Sequence, residues 1–303
     1  MAASSLSMAP PPPPLMTTTP LFFYTHQRPP NVRVIKITSH NLHQELAVIA
    51  SLLPRFPFVA VDTEFPGEVH HHQQRGLFGL TPDEQYTVVK ANTDELHLLQ
   101  LGITICDASG HLPVALDFDG SAVELTWEVD FSDFDLHRHR HAQESVAFLR
   151  AQGFDFVAAR HAGVRAAAFA AALHVAGGIL QLARGGGVTW ITFGGMYDLA
   201  FLIKLVTGGA PLPETRAGFV ARVGVFLGHQ VFDGRLMARS APFGFHGSVT
   251  AVADTLRLPP LLPRLHLAGP NSVMALHVFM ELRRRLLHSG GHGVFSLQIE
   301  GLT

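Results

Sequence analysis

The run Phe56-Pro57-Phe58-Val59-Ala60-Val61-Asp62-Thr63-Glu64-Phe65-Pro66-Gly67 limits the fold more than any other stretch of the chain. Its apolar portion reads as a buried strand, and the strand ends in two carboxylates. Side chains alternate across a strand, so Asp62 and Glu64 project toward the same side of a sheet. Two carboxylates in one small volume are costly unless a divalent cation, a basic partner or solvent neutralises them, and the pair alone leaves all three open.

The rest of the pattern supplies a sheet for that strand. Val32 to Ile37, Leu98 to Ile105, the region around Ala115 to Phe118 and Val188 to Phe193 read as further strands. Asn41 to Leu53 carries apolar residues at helical spacing, and residues 142–183 are helical by composition with Gly153 and Gly163 as breaks. Gly194-Gly195 turns the chain from a strand into a helix beginning near Tyr197. Further helices are expected over 214–226, 247–257 and 271–288. Strands early and helices late, with carboxylates at a strand end, describe an α/β sandwich with one main sheet. Residues 68–85 read as a polar insertion. Its run His70-His71-His72 reads as a solvated loop, with adventitious metal binding as the alternative.

The chain has 303 residues, 47% of them hydrophobic, which suffices for a sizeable core. A formal charge of -2 is not the footprint of a protein that grips nucleic acid by charge alone, so any such contact is local or assisted by metal ions or partner subunits. Cys106 is the single cysteine, which excludes a disulfide framework or a cysteine zinc site within one chain and favours a reducing compartment. Residues 1–30 form a Pro/Ser/Thr-rich segment expected to be disordered, without the charged start of a secretory signal. Ala166 to Ala183 is alanine-rich but carries His174, Gln181 and a Gly pair, and it reads as a buried helix and not a bilayer span.

Asp198 opens a helix directly after another buried strand. It is either a helix-dipole carboxylate or a third oxygen ligand beside Asp62 and Glu64. Three acidic positions on two sheet elements fit an oxygen-rich site for Mg²⁺ or Mn²⁺, of the type used in phosphodiester hydrolysis.

Three runs carry a specific resemblance: Val61-Asp62-Thr63-Glu64-Phe65-Pro66-Gly67; Asn92-Thr93-Asp94 through Leu98-Leu99-Gln100-Leu101-Gly102-Ile103-Thr104; and Trp190-Ile191-Thr192-Phe193 through Tyr197-Asp198 to Leu202-Ile203-Lys204-Leu205. They resemble the DEDD exonucleases of the DEDDh type. Within these they are most similar to the carbon catabolite repressor four associated factor one family, the deadenylase of the NOT complex. Trp127 with Phe131, and Phe169 with Ala170 and Leu173, add to the match, which runs in order over residues 31–289. The resemblance implies an RNase H-like mixed sheet flanked by helices over 31–289, with 290–303 as a C-terminal tail. It implies 3'→5' hydrolysis of mRNA poly(A) tails, releasing 5'-AMP with two divalent cations, Mg²⁺ or Mn²⁺. Poly(A) RNA, a NOT scaffold subunit and a second deadenylase are the implied partners, with no membrane, and the nucleus and cytoplasm the implied locations.

By the same resemblance, Asp62, Glu64 and Asp198 are metal ligands. His266, in His266-Leu267-Ala268-Gly269-Pro270-Asn271-Ser272, is the general base; on the residues alone it is a loop histidine. Phe65 is either a stacking surface for a terminal base or a core phenylalanine. The chain departs from the family pattern in that last run, where Asn271 stands in place of an aspartate and Pro270 in place of the usual serine. An amide oxygen can still ligate a cation, but the site loses one negative charge. The alternative function is therefore an adaptor or competitor in the same complex, catalytically impaired by Asn271. A DNA-proofreading relative is disfavoured by the Glu64-Phe65-Pro66-Gly67 and Gln100-Leu101-Gly102 runs.

Overall fold

The computed structural model describes residues 31–72, 79–175, 178–240, 242–263, 265–287 and 292–302. The expected disordered segment 1–30 lies outside them. Strands β1 (Val32–Ile37), β2 (Phe58–Glu64), β3 (Gln100–Cys106), β4 (Val114–Leu116), β5 (Ala122–Asp130), β6 (Thr189–Thr192) and β7 (Val231–Asp233) form one sheet. Its order is β1-β5-β3-β2-β6-β7, with β4 attached to β5. The sheet is mixed: β2 runs antiparallel to β3 and parallel to β6, β5 antiparallel to β3 and parallel to β1, and β7 parallel to β6. Every residue of β3 is buried, as its central place requires.

Two helical layers cover the sheet. On one face α1 (Leu42–Leu52), α2 (Pro82–Glu95), α5 (Ala166–Val175), α6 (Ile179–Arg184), α7 (Met196–Val206) and α8 (Arg216–Leu227) enclose the larger core, which includes Val59, Val61, Leu101, Ile103, Leu125 and Trp127. On the other face α9 (Gly234–Arg239), α10 (Val249–Thr255) and α11 (Ala268–Leu287) enclose a core with Phe58, Ala60, Cys106 and Ile191. Alternation along β2 therefore places Asp62 and Glu64, in step with Phe58 and Ala60, on the α11 face. Beside the sheet, α3 (Gln143–Ala151) and α4 (Phe156–Ala162) pack with Leu99 and Phe134 in a smaller cluster.

α3 to α6 fill the described part of the region that reads as helical by composition, with Gly153 and Gly163 between helices as expected. β5 and β7 form where no strand is expected, and three further segments differ from the sequence reading. α2 begins within the last residues of what reads as a polar insertion and runs on to Glu95, its start fixed by a Thr81–Glu84 capping box with Pro82 in the first turn. The strand near Ala115 is short, and it leads into a turn where Phe118 is fully exposed. Of the segment 290–303 that reads as a C-terminal tail, the described residues 292–302 pack against the body, with Ile299 and Leu302 fully buried in the larger core. The Leu297 N–H bonds Val231 O at 2.8 Å, anchoring that segment to β7. Among the described residues no helix is long and apolar enough to cross a membrane.

Candidate functional site

The ladder between β2 and β6 stops at Ala60, leaving the end of β2 open along that edge. Such a crevice at the carboxyl ends of parallel strands is where α/β sheets commonly bind ligands. Asp198, in the first turn of α7, fills the gap: its Oδ1 accepts from the Thr63 N–H at 2.8 Å and from Thr63 Oγ1 at 2.6 Å. The turn before it is held by Asp233, whose carboxylate accepts from the N–H groups of Gly194 at 2.7 Å and Gly195 at 3.2 Å.

From the opposite face, α11 brings Asn271 over β2. Its Nδ2 donates to Asp62 Oδ2 at 3.3 Å and to Glu64 Oε1 at 3.4 Å. Asn271 of α11 thus bonds Asp62 and Glu64 of β2, and Asp198 of α7 bonds Thr63 between them. Burial raises all three carboxyl pKa values: Glu64 to about 8, with the Asp198 and Glu128 charges adding to the effect, and Asp198 to about 7. Asp62 is pushed well above the usual range by burial and by the neighbouring charges of Asp198 and Glu64. The site is therefore short of positive charge. Its donors are all oxygen once the Asn271 amide turns, and that set suits a hard divalent cation. Among the described residues, no three His, Cys, Asp or Glu side chains already stand as a metal cage. Asp198 is turned onto Thr63, and the fourth position is an amide.

His266 is exposed in the loop before α11. Gln152 Oε1 accepts its backbone N–H at 3.1 Å, and its ring lies 5.3 Å from that of Phe148. It lines, together with Asn271, Pro270 and His277, a cleft of about 300 Å³ between that loop and α11. Phe65 is half-buried against Tyr197 at 4.7 Å and Phe201 at 5.1 Å, on the edge of the larger core. His70 lies away from the carboxylates and pairs with Glu95, while Asn92 Oδ1 accepts from the Val69 and His70 N–H groups.

Sequence reasoning missed the polar residues behind the site. Gln100 and Glu128 are buried at 1% and 2% exposure beneath the start of α11, and Asp233 is fully buried. A signal exists for Glu128: Glu124, Thr126, Glu128 and Asp130 alternate with Val123, Leu125, Trp127 and Val129. That pattern reads as a solvent-facing strand, but here α11 covers it.

A model of the CAF1 family ribonucleases matches residues 37–169. Poly(A) ribonuclease pop2 of Schizosaccharomyces pombe is 33% identical over 249 residues, covering 82% of this chain and 69% of that protein. The probable CCR4-associated factor 1 homolog 7 of Arabidopsis thaliana is 31% identical over 253 residues, covering 84% and 87%. The chain belongs to the CAF1 ribonuclease family. Among solved structures, S. pombe Pop2p in its Mg²⁺- and Mn²⁺-bound form superposes with a TM-score of 0.75 at 30% identity, covering 88% of this chain and 99% of that one. Yeast CAF1 co-crystallized with the NOT1 MIF4G domain gives 0.70 at 26% identity, covering 91% and 100%. These establish the RNase H-like fold of the CAF1 family for this chain. The family model spans Asp62 and Glu64 but ends before Asp198, His266 and Asn271.

Proposed function

We propose that this CAF1-family chain is a 3'→5' exoribonuclease that shortens mRNA poly(A) tails as a subunit of the CCR4-NOT complex. The observation that carries the reading is that Asn271 of α11 bonds Asp62 and Glu64 of β2 while Asp198 of α7 bonds Thr63 between them. Those four side chains would hold the divalent cations, as the Mg²⁺- and Mn²⁺-bound relative supports. Bound there, the cations supply Lewis acidity and charge neutralisation for phosphodiester hydrolysis.

The chain's own residues do the rest. His266 Nδ1 or Nε2 takes a proton from the attacking water as the water oxygen bonds to phosphorus, and the departing 3' oxygen takes up a proton from solvent, leaving 5'-AMP. The exposure of His266 in a loop bordering the cleft allows it to approach the scissile phosphate. Phe65, half-buried against Tyr197 and Phe201, is the surface on which the terminal base would stack. The yeast NOT1–CAF1 structure supports a NOT scaffold as partner; a second deadenylase rests on the family resemblance alone. A single, buried cysteine accords with the nucleus and cytoplasm as locations.

One observation favours a second reading. The Asn271 amide donates to both Asp62 and Glu64 and, being neutral, offers a cation one negative charge fewer than an aspartate, so an impaired member acting as adaptor or competitor is the alternative. The test is 5'-labelled oligo(A) with Mg²⁺ or Mn²⁺, comparing the parent chain with Asn271→Asp and Asp62→Ala. Shortening by the parent that Asp62→Ala abolishes supports the nuclease. Shortening only by Asn271→Asp supports the adaptor, and shortening that survives Asp62→Ala removes the site assignment.

A further inference from the structure

Between His266 and Asn271 lie Ala268 and Gly269, the first two residues of α11, and both are gripped from the sheet. The Ala268 N–H donates to Gln100 Oε1 at 3.2 Å, and the Gly269 N–H to Glu128 Oε2 at 2.7 Å. Gln100 Nε2 donates in turn to Glu128 Oε1 at 2.9 Å and Asp130 Oδ1 at 2.7 Å. This fixes the Gln100 amide orientation, because the flipped form would set an oxygen against two carboxylates and a nitrogen against an N–H. Lys36 pairs with Glu128 and with Asp130. Farther along, Ser272 Oγ meets Thr104 Oγ1 at 2.7 Å and donates to Gly269 O at 2.8 Å.

Two glycines let the parts approach. A Cβ on Gly102 would stand 1.9 Å from Ala268 O, and one on Gly269 would stand 2.7 Å from Glu128 Oε2. Buried groups this fully bonded, at contacts too tight for a methyl group, leave the α11 N-terminus one seating.

We propose that Glu128 and Gln100 are positioning residues: by clamping the Ala268 and Gly269 amides they set where the general base and the fourth ligand meet Asp62 and Glu64. The roles so positioned rest on the function proposed above, whereas the clamp itself does not. Glu128 acts through Gly269 and touches no substrate. Partners one layer behind metal ligands typically govern affinity by about 10- to 100-fold.

The test uses the full chain with two readouts, amide hydrogen exchange over residues 266–271 and the Mn²⁺ dissociation constant by calorimetry. Glu128→Ala should speed exchange at Ala268, Gly269 and Asn271 at least about 10-fold relative to Ile105 in β3, and weaken Mn²⁺ binding about 10- to 100-fold. Lys36→Met removes the ion pair yet leaves both Glu128 oxygens to accept from Gly269 and Gln100. It should retain slow exchange and Mn²⁺ binding within about threefold of the parent, even with a lowered melting temperature. Uniform acceleration in Glu128→Ala, or equal loss of Mn²⁺ affinity in both variants, overturns the proposal and leaves a merely structural ion pair. Should the parent bind no Mn²⁺, the metal reading fails, and the exchange comparison alone decides the clamp.

Discussion

Replacing Asn271 by aspartate changes one charge at a position where its effect should reverse sign with metal. The amide nitrogen stands 3.3 Å from Asp62 Oδ2 and 3.4 Å from Glu64 Oε1. A carboxylate in its place would repel each neighbour by about 5 kcal/mol at an effective dielectric of ~20 if all were ionised. The chain avoids most of that by retaining protons. The expected loss without metal is about 1–2 kcal/mol at neutral pH, growing by about 1.4 kcal/mol per pH unit for each proton retained. With a dication about 4 Å away the same charge is attractive by about 8 kcal/mol before desolvation and lost hydration. The net gain should be about 1.4–2.7 kcal/mol, a 10- to 100-fold tighter Mn²⁺ affinity. Melting at pH 8 should fall by a few degrees in EDTA and rise above the parent in saturating Mn²⁺, on a scale of about 2–4 °C per kcal/mol. An Asn271→Asp variant as stable as the parent in EDTA, with Mn²⁺ affinity unchanged, would refute the idea that these side chains share an ion.

The metal-free parent should itself lose stability as pH rises. Native Glu64 and Asp198 keep protons to about 8 and about 7, while the unfolded chain releases them near 4.5 and 3.8. The native state therefore binds the extra protons, and urea midpoints in EDTA should fall between pH 5 and 8 and level off above, with Mn²⁺ flattening the curve. Gly102→Ala should cost at least about 1–3 kcal/mol in urea unfolding, since its Cβ would strike the Ala268 carbonyl and force α11 off the sheet. Asp233→Ala strands the N–H groups of Gly194, Gly195, Arg235 and Glu300 and should cost about 3 kcal/mol or more; exchange at Gly194 and Gly195 should rise. An Asp233→Ala chain with parental stability and slow Gly194 exchange would show that the β6–α7 turn needs no such anchor.

What the sequence made legible was local. β2 reads correctly because an apolar run with two carboxylates at its end has few other uses, and the α3–α6 region because glycines punctuate its helical composition. β5 does not, because its alternation looks identical whether the polar face meets water or a helix. Only the tertiary cover of α11 separates the two, and it comes from a segment about 140 residues away, as the Glu128–Gly269 bond shows. The end of the chain was misread for a related reason. Ile299 and Leu302 stand singly in a short stretch with no period, so nothing local announces that the larger core takes them in. At the site, Asp62 and Glu64 are visible as a pair and Asp198 as a third carboxylate after a buried strand, whereas His266 and Asn271 acquire meaning only through resemblance. Gln100, Glu128 and Asp233 act by holding backbone, which leaves no mark in residue type.

Asn271 changes more than the charge count. With an aspartate there, four carboxylates would repel one another until a cation arrived, and binding would relieve the repulsion. With an amide, its two contacts to Asp62 and Glu64 already relieve part of it, as the Thr63 N–H and hydroxyl do for Asp198. A cation must then displace those donors, and the amide must turn to offer its oxygen, before it recovers anything. Weaker attraction and a self-satisfied site act in the same direction. If the four side chains hold a cation as proposed, both would lower its affinity below that of an all-carboxylate site, and metal affinity would then separate a slow nuclease from an adaptor.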